Sequence, residues 1–222
     1  MKAKEIYDIL RAGGLTRAGA LGVIGNMMAE STPELIADIV QFGTTSMSNA
    51  EYTAAVDEGR ISFEDGRGFG LCQWTEKTRK RKLLSYAKEM GVSVGDGVMQ
   101  SYFVIKEMQE DFPAVFKTVC SSNTIDECTD FVLTRYEMPA TNNYAERRNN
   151  SYKAAKMIPE EYVPPKKDPV SATFPPDPSI FIMQLLMQYN TFWNGPIDGH
   201  YSDTFIKAYF DFGEGMKKVW SK

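Results

Sequence analysis

Apolar residues recur at helical spacing through most of the first 158 positions, and the polar residues between them supply start and stop signals. Glu5 to Arg11 carries a short amphipathic repeat that Gly13-Gly14 ends. Thr16 is placed to cap a second helix through Leu21, Val23, Ile24, Met27 and Met28, and Pro33 limits its extension beyond Glu30. The signals weaken from Gln41 to Gly66, where one helix is expected over Ser48 to Glu58 and a small hairpin near Ile61 to Phe69. Glu76 to Met90 is helical by period, with Leu83, Leu84 and Ala87 inward. Asp96 to Gln109 follows, with Val98, Tyr102, Ile105 and Met108 spaced to share a face. Thr124 to Tyr136 reads as a helix capped by Thr124, with Glu127 in a capping-box position, and Asn143 to Met157 as another. No sustained alternation marks a large sheet, so the expected class is mainly α.

Seven of the eleven prolines fall between Pro159 and Pro178. Such a stretch cannot continue a helix and favours an extended connection. The expected organisation is therefore a helical domain over 1–158, a proline-rich linker over 159–178 and a small helical module over 179–222. In that module Ile180 to Tyr189 is amphipathic, Asn194 to Gly199 is a turn-rich loop, and Ser202 or Asp203 can cap a helix carrying Phe205, Ile206, Tyr209 and Phe210.

Composition narrows the chemistry. With 43% hydrophobic and 24% charged residues, the chain has the balance of a soluble globular protein. A net charge of -4 and the lack of a long basic stripe argue against nucleic acid as a partner. The densest basic run, Arg79-Lys80-Arg81-Lys82, reads as a solvated helix face. No segment has the length of a membrane span or the apolar core of a signal peptide, so synthesis in a host cytoplasm without membrane insertion is expected. Cys72, Cys120 and Cys128 lack metal-type spacing and read as reduced core thiols. The single histidine, His200, lies far in sequence from every cysteine, which counts against a Cys-His peptidase, an amidase or a zinc hydrolase. No metal and no cofactor is implied.

Two features carry chemistry. Val23, Met27 and Glu30 share a helix stripe, which puts Glu30 at the end of an apolar row near a helix C-terminus. Lost hydration and the negative end of the helix dipole both favour a protonated carboxyl there, the form that gives a proton to a leaving glycosidic oxygen. A glutamate at a helix end is also an ordinary solvated residue. Downstream, Gly68-Phe69-Gly70-Leu71-Cys72-Gln73-Trp74 combines flexible backbone with two aromatic rings and an amide. Phe69 and Trp74 fit walls for sugar rings, with Gln73 as donor and acceptor, and fit equally well core packing around a tight turn.

The runs Gly25-Asn26-Met27-Met28-Ala29-Glu30-Ser31 and Gly68 to Thr75 together resemble the phage tail lysozyme family, peptidoglycan hydrolases related to goose-type lysozymes and soluble lytic transglycosylases. The segments Ala50 to Asp57 and Tyr136-Glu137-Met138-Pro139, with Arg147 or Arg148 following, resemble it too. Over residues 5–157 the resemblance implies a lysozyme-like helical fold that cleaves the β-1,4 bond after N-acetylmuramic acid. Carried onto this chain, it implies Glu30 as general acid. Asp65 is the nearest equivalent of a water-positioning aspartate, with Glu64 as its neighbouring alternative and Asp57 and Glu137 as further candidates. Phe69, Gln73, Trp74, Tyr136 and Glu137 are expected along the substrate, although Glu137 equally fits a buried structural acid paired with an arginine. Cys72 reads as packing.

The tail resembles a three-helix peptidoglycan-binding domain through Gln184-Leu185-Leu186, Gly195 to Tyr201 and Thr204 to Phe210, and it fits a packing extension as well. The leading expectation is a phage or prophage cell-wall lysozyme, a monomer acting on bacterial peptidoglycan in a holin or tail context. A lytic transglycosylase using the same glutamate and a non-catalytic tail or wall-binding protein are the alternatives.

Overall fold

The computed structural model describes residues 3–159. The expected C-terminal module and nearly all of the expected linker lie outside the described residues. Eight α-helices account for most of what is described: α1 (Ala3–Ala12), α2 (Arg17–Glu30), α3 (Asn49–Asp57), α4 (Lys77–Met90), α5 (Gly97–Glu110), α6 (Pro113–Ser121), α7 (Ile125–Val132) and α8 (Tyr144–Met157). A π-helical turn, Leu133–Glu137, continues α7. The mainly α expectation matches, and the elements follow their predicted starts closely. Thr16 Oγ1 accepts from Gly19 N (2.9 Å), Ser48 forms a full capping box with Glu51, and Asp96 Oδ1 accepts from Met99 N (2.8 Å).

Helix α2 is the axis of the domain. From Ala18 to Met28 every residue is buried, so the helix is apolar all round rather than amphipathic. Helices α7 and α8 pack against it, with α1 and α6 on its remaining sides. Gly19, Gly22 and Gly25 make this close approach possible. A Cβ on Gly25 would lie 2.0 Å from Ser151 Oγ and 2.6 Å from Ser151 N, while one on Gly19 would lie 2.0 Å from Val119 O. We expect Gly25→Ala to force α8 off α2 at a cost of about 1–3 kcal/mol. For a domain of this size that lowers Tm by about 2–12 °C, read by calorimetry.

Four expectations change. The hairpin near Ile61 to Phe69 does not form; residues 68–70 pair instead with 39–41 through one antiparallel bridge, Val40 to Phe69. Gln41 N donates to Gly68 O and Gly70 N to Ile39 O, each at 2.8 Å. Helix α6 had no counterpart in the sequence reading, though Pro113 at its first turn and the inward pair Val115 and Val119 are a start signal and a helical spacing. Thr124 makes no side-chain cap bond, and Glu127 accepts from Ser122 Oγ (2.6 Å) instead of closing a box. On α5 Ile105 and Met108 are buried as expected, together with Met99, Gln100, Ser101, Phe103, Val104 and Glu107, while Tyr102 is half-buried and Val98 exposed. Three polar residues on the inner face hid its phase.

The basic run is also different from a solvated face. Lys80 is fully buried, and each of the four cations has an acid: Arg79 with Glu107, Lys80 with Asp65, Arg81 with Glu64 and Lys82 with Asp111. Among the described residues no helix is long and apolar enough to cross a membrane.

Candidate active site

Glu30 is the last residue of α2, at the point where the helix leaves the core, and its side chain keeps 19% of its exposure. Ser31 ends the helix by donating from both its amide and its hydroxyl to Met27 O (2.8 Å each). Arg147, on α8 and nearly buried, reaches Glu30 Oε1 from Nη2 (2.5 Å). Its other terminal nitrogen donates to Asn26 Oδ1 (3.0 Å). Asn26 is wholly buried and is itself fixed by donating to Gly22 O (2.9 Å) and Thr129 O (3.0 Å). One turn of α2 therefore aims the guanidinium that aims the glutamate. Among the described residues no group of three His, Cys, Asp or Glu side chains is arranged to hold a metal ion.

Glu137 lies beside this pair. The π turn ends on it: Met138 N bonds to Leu133 O (2.9 Å), five residues back, and Met138 turns the chain with φ 47°. Glu137 Oε1 is closed off from solvent and has no hydrogen-bond partner. Burial and the charge of Glu30 push the Glu137 carboxyl up, against Arg79, Arg147 and the Cys72 thiol, to about 8. Burial, and after it the charge of Glu137, push the Cys72 thiol itself well up, so this cysteine is a packed donor rather than a nucleophile.

The glycine segment reaches the neighbourhood of Glu137 through Cys72. Gly70 has φ 77°, and a Cβ there would meet Gln100 Oε1 at 2.6 Å, so only glycine fits. Gln100, buried on α5, accepts from Leu71 N (2.9 Å) and donates to Ala37 O (2.7 Å) and Val94 O (2.8 Å). Phe69 and Trp74 are completely buried, as is Tyr136, so none presents a face to a sugar. This corrects their expected role as substrate walls: their rings were needed inside. Phe69 packs edge-on against Phe63 and Trp74 against Phe103. Trp74 Nε1 (3.1 Å) and Tyr136 OH (2.6 Å) both donate to Glu107 Oε2. Arg79 completes that carboxylate with bonds at 2.7 and 2.9 Å and lies over the Tyr136 ring at 4.6 Å. Sequence reasoning passed over Glu107; its spacing from Gln100 and Phe103 on one helix face was the available signal.

Of the run Gly68 to Trp74, Gln73 alone is not buried. It adopts φ 44° and donates from Nε2 to Gly70 O (3.1 Å) and Ile39 O (3.3 Å). A left-handed non-glycine residue is unusual and often marks a functional position.

Asp65 sits in a different network. Tyr52 OH and Arg67 Nη1 reach its Oδ2 and Lys80 Nζ its Oδ1, all at 2.7 Å, and Arg67 N donates to Oδ1 at 3.0 Å. Burial pushes this carboxyl up, but the bonds from Lys80, Tyr52 and Arg67 outweigh it and hold it at about 2. Glu64 is paired with Arg81, and Asp57 accepts from Ser93 Oγ (2.6 Å) and Val94 N (2.9 Å). The structure thus groups Glu30 with Glu137 and commits Asp57, Glu64 and Asp65 to contacts of their own.

The family model for phage tail lysozyme matches residues 1–158. No solved structure matches the chain.

Proposed function

Because the chain belongs to the phage tail lysozyme family, whose activity is directed at peptidoglycan, we propose that it is a muramidase cleaving the β-1,4 bond between N-acetylmuramic acid and N-acetylglucosamine. The observation that carries this reading is the pair of glutamates at the end of α2, one held by Arg147 and partly open, the other shut in beside it. Glycosidic cleavage uses one carboxyl as a proton donor to the leaving oxygen and gains from a second nearby. Glu30 is the group that meets substrate, since its side chain keeps 19% of its exposure at the end of α2 while one oxygen of Glu137 is closed off from solvent. Its proton goes to the glycosidic oxygen as the bond to the anomeric carbon breaks, and water adds to that carbon. Gln73 offers an amide to the sugar from the glycine segment. Asp65 is assigned to anchoring residues 65–67 rather than to activating water, because both of its oxygens are occupied by cations and a hydroxyl.

The same glutamate could also serve a transglycosylase, in which the muramic acid 6-hydroxyl takes the place of water. Digestion of purified peptidoglycan followed by mass spectrometry is expected to yield N-acetylmuramic acid reducing ends. Products ending in 1,6-anhydro-muramic acid would overturn the hydrolase assignment. Absence of any new glycan end would leave the protein as a wall-binding component. In the leading reading the enzyme is a monomer without cofactor, acting on the wall in a phage context.

A further inference from the structure

We propose that Tyr144 is a sugar-stacking residue of the cleft, seating a hexosamine ring of the glycan strand beside the bond broken at Glu30. The proposal rests on the muramidase reading above and deepens it.

The register of two helices gives the first reason. Helices α2 and α8 run antiparallel: Gly25 meets Ser151, while Asn26 and Glu30 both meet Arg147. Arg147, Ser151 and Ala154 are buried along one stripe of α8, at the spacing of a packed helix face. Tyr144 stands three residues before Arg147 and continues that stripe, about 4.5 Å further along the axis. Helix α2 does not extend that far, because Glu30 is its last residue. An aromatic side chain at an inward position is thus left 40% exposed, past the carboxyl that Arg147 holds. Side chains on a helix lean toward its N-terminus, which carries the ring away from Arg147 and out past the end of α2.

Elimination gives the second reason. The rings expected to receive sugar, Phe69, Trp74 and Tyr136, are all buried. Among the described residues the exposed aromatic side chains are Phe42, Tyr144 and Tyr152. Phe42 follows Gln41, which is tied to Gly68, and so belongs to the other chain segment. Tyr152 lies five residues after Arg147, about 140° round α8 from it. Tyr144 shares both the helix and the face of the residue that binds Glu30.

The third reason is chemical. A β-linked hexosamine presents C–H groups on its face and hydroxyl and acetamido groups on its rim. The C–H hydrogens carry slight positive charge and meet the negative face of an aromatic ring. The rim calls for amides and other polar side chains. Around Tyr144 the exposed residues include Thr141, Asn142, Asn143 and Glu146, and Asn142 Nδ2 donates to the Tyr144 hydroxyl (3.4 Å). A single ring among polar groups matches a sugar. A protein docking face covers about 800 Å² per partner around an apolar centre, and these neighbours do not make one.

Tyr144→Ala in the full chain should raise KM on purified peptidoglycan and weaken binding of an N-acetylglucosamine oligosaccharide, each by about 2–12-fold, the worth of one aromatic contact. Turnover at saturation should hold, as expected for a group that binds ground state and transition state alike. The thermal midpoint should hardly move, since the side chain is exposed. Tyr144→Trp should keep the affinity, whereas Tyr144→Leu, apolar but without a ring, should not. In Glu30→Gln, where the oligosaccharide stays intact, its titration should shift the NMR resonances of the Tyr144 ring. Wild-type KM and affinity in Tyr144→Ala, leucine serving as well as tryptophan, or ring resonances that stay in place overturns the proposal. So does a Tyr144→Ala protein that binds glycan normally but loses self-association, which assigns the ring to a second copy of the chain. Peptidoglycan cleavage by Glu30→Gln at the wild-type rate would instead overturn the muramidase reading, and the binding comparison at Tyr144 would still stand by itself.

Discussion

Glu30→Gln is expected to lower muramidase turnover by about 10³-fold, the middle of the range for removing a positioned general acid. The neutral amide keeps the shape of the side chain and can still accept from Arg147 Nη2, so the guanidinium retains both of its partners. Stability should therefore change by only about 1 kcal/mol, the net worth of a single hydrogen bond. Binding to insoluble cell wall should be preserved. The measurement is glycan-end release from peptidoglycan alongside a thermal melt and a pull-down on the wall. Wild-type release by the variant would remove Glu30 from the mechanism. Inactivity with a collapsed melt would transfer its role from chemistry to folding.

The largest effect on stability is expected at Lys80. Its ammonium is buried and donates to Asp65 Oδ1 (2.7 Å) and Arg67 O (2.8 Å), with Phe63 4.3 Å below it. Lys80→Ala leaves Asp65 with less compensation and opens a cavity, a change that costs about 3–5 kcal/mol. At 2–4 °C per kcal/mol this lowers Tm by about 6–20 °C. The acid response has a definite sign. The folded pKa of Asp65 is held at about 2, below its ordinary value of 3.8. Its contribution to stability is therefore complete above the ordinary value and is lost as pH falls toward 2. Removing Lys80 takes away one source of that depression, so acid unfolding should begin at higher pH in the variant. A double variant with Asp65→Asn should be less destabilised than the two single changes added together. Strict additivity would show that the pair is not coupled and that the loss at Lys80 is packing alone.

These two sites show where the linear code was legible. Glu30 could be found because its helix announces itself: Thr16 caps it, an apolar run fills it, and Pro33 ends it. The resemblance to phage tail lysozymes then singled out the acid at its end, and the family match covers the same stretch. Lys80 was not legible. Four consecutive cations on a helix look solvated, and only the folded chain brings Asp65, Glu64, Glu107 and Asp111 against them from other segments. The aromatic rings misled for a related reason. Phe69 and Trp74 beside glycines fit a sugar platform or a core turn equally well, and burial is a tertiary property.

By itself the sequence determined the helical class, seven of the eight described helices, the caps at Thr16 and Ser48 and the glutamate at the end of α2. Caps, periodicity and breakers act over a few residues, so the chain carries them locally. Tertiary structure alone decided which acids have partners. Asp65 is bound by residues 13 and 15 positions away, Glu30 by Arg147 across 117 positions, and Glu107 by Arg79 across 28. Electrostatic state depends on distance in space and on burial, and neither is written in spacing along the chain.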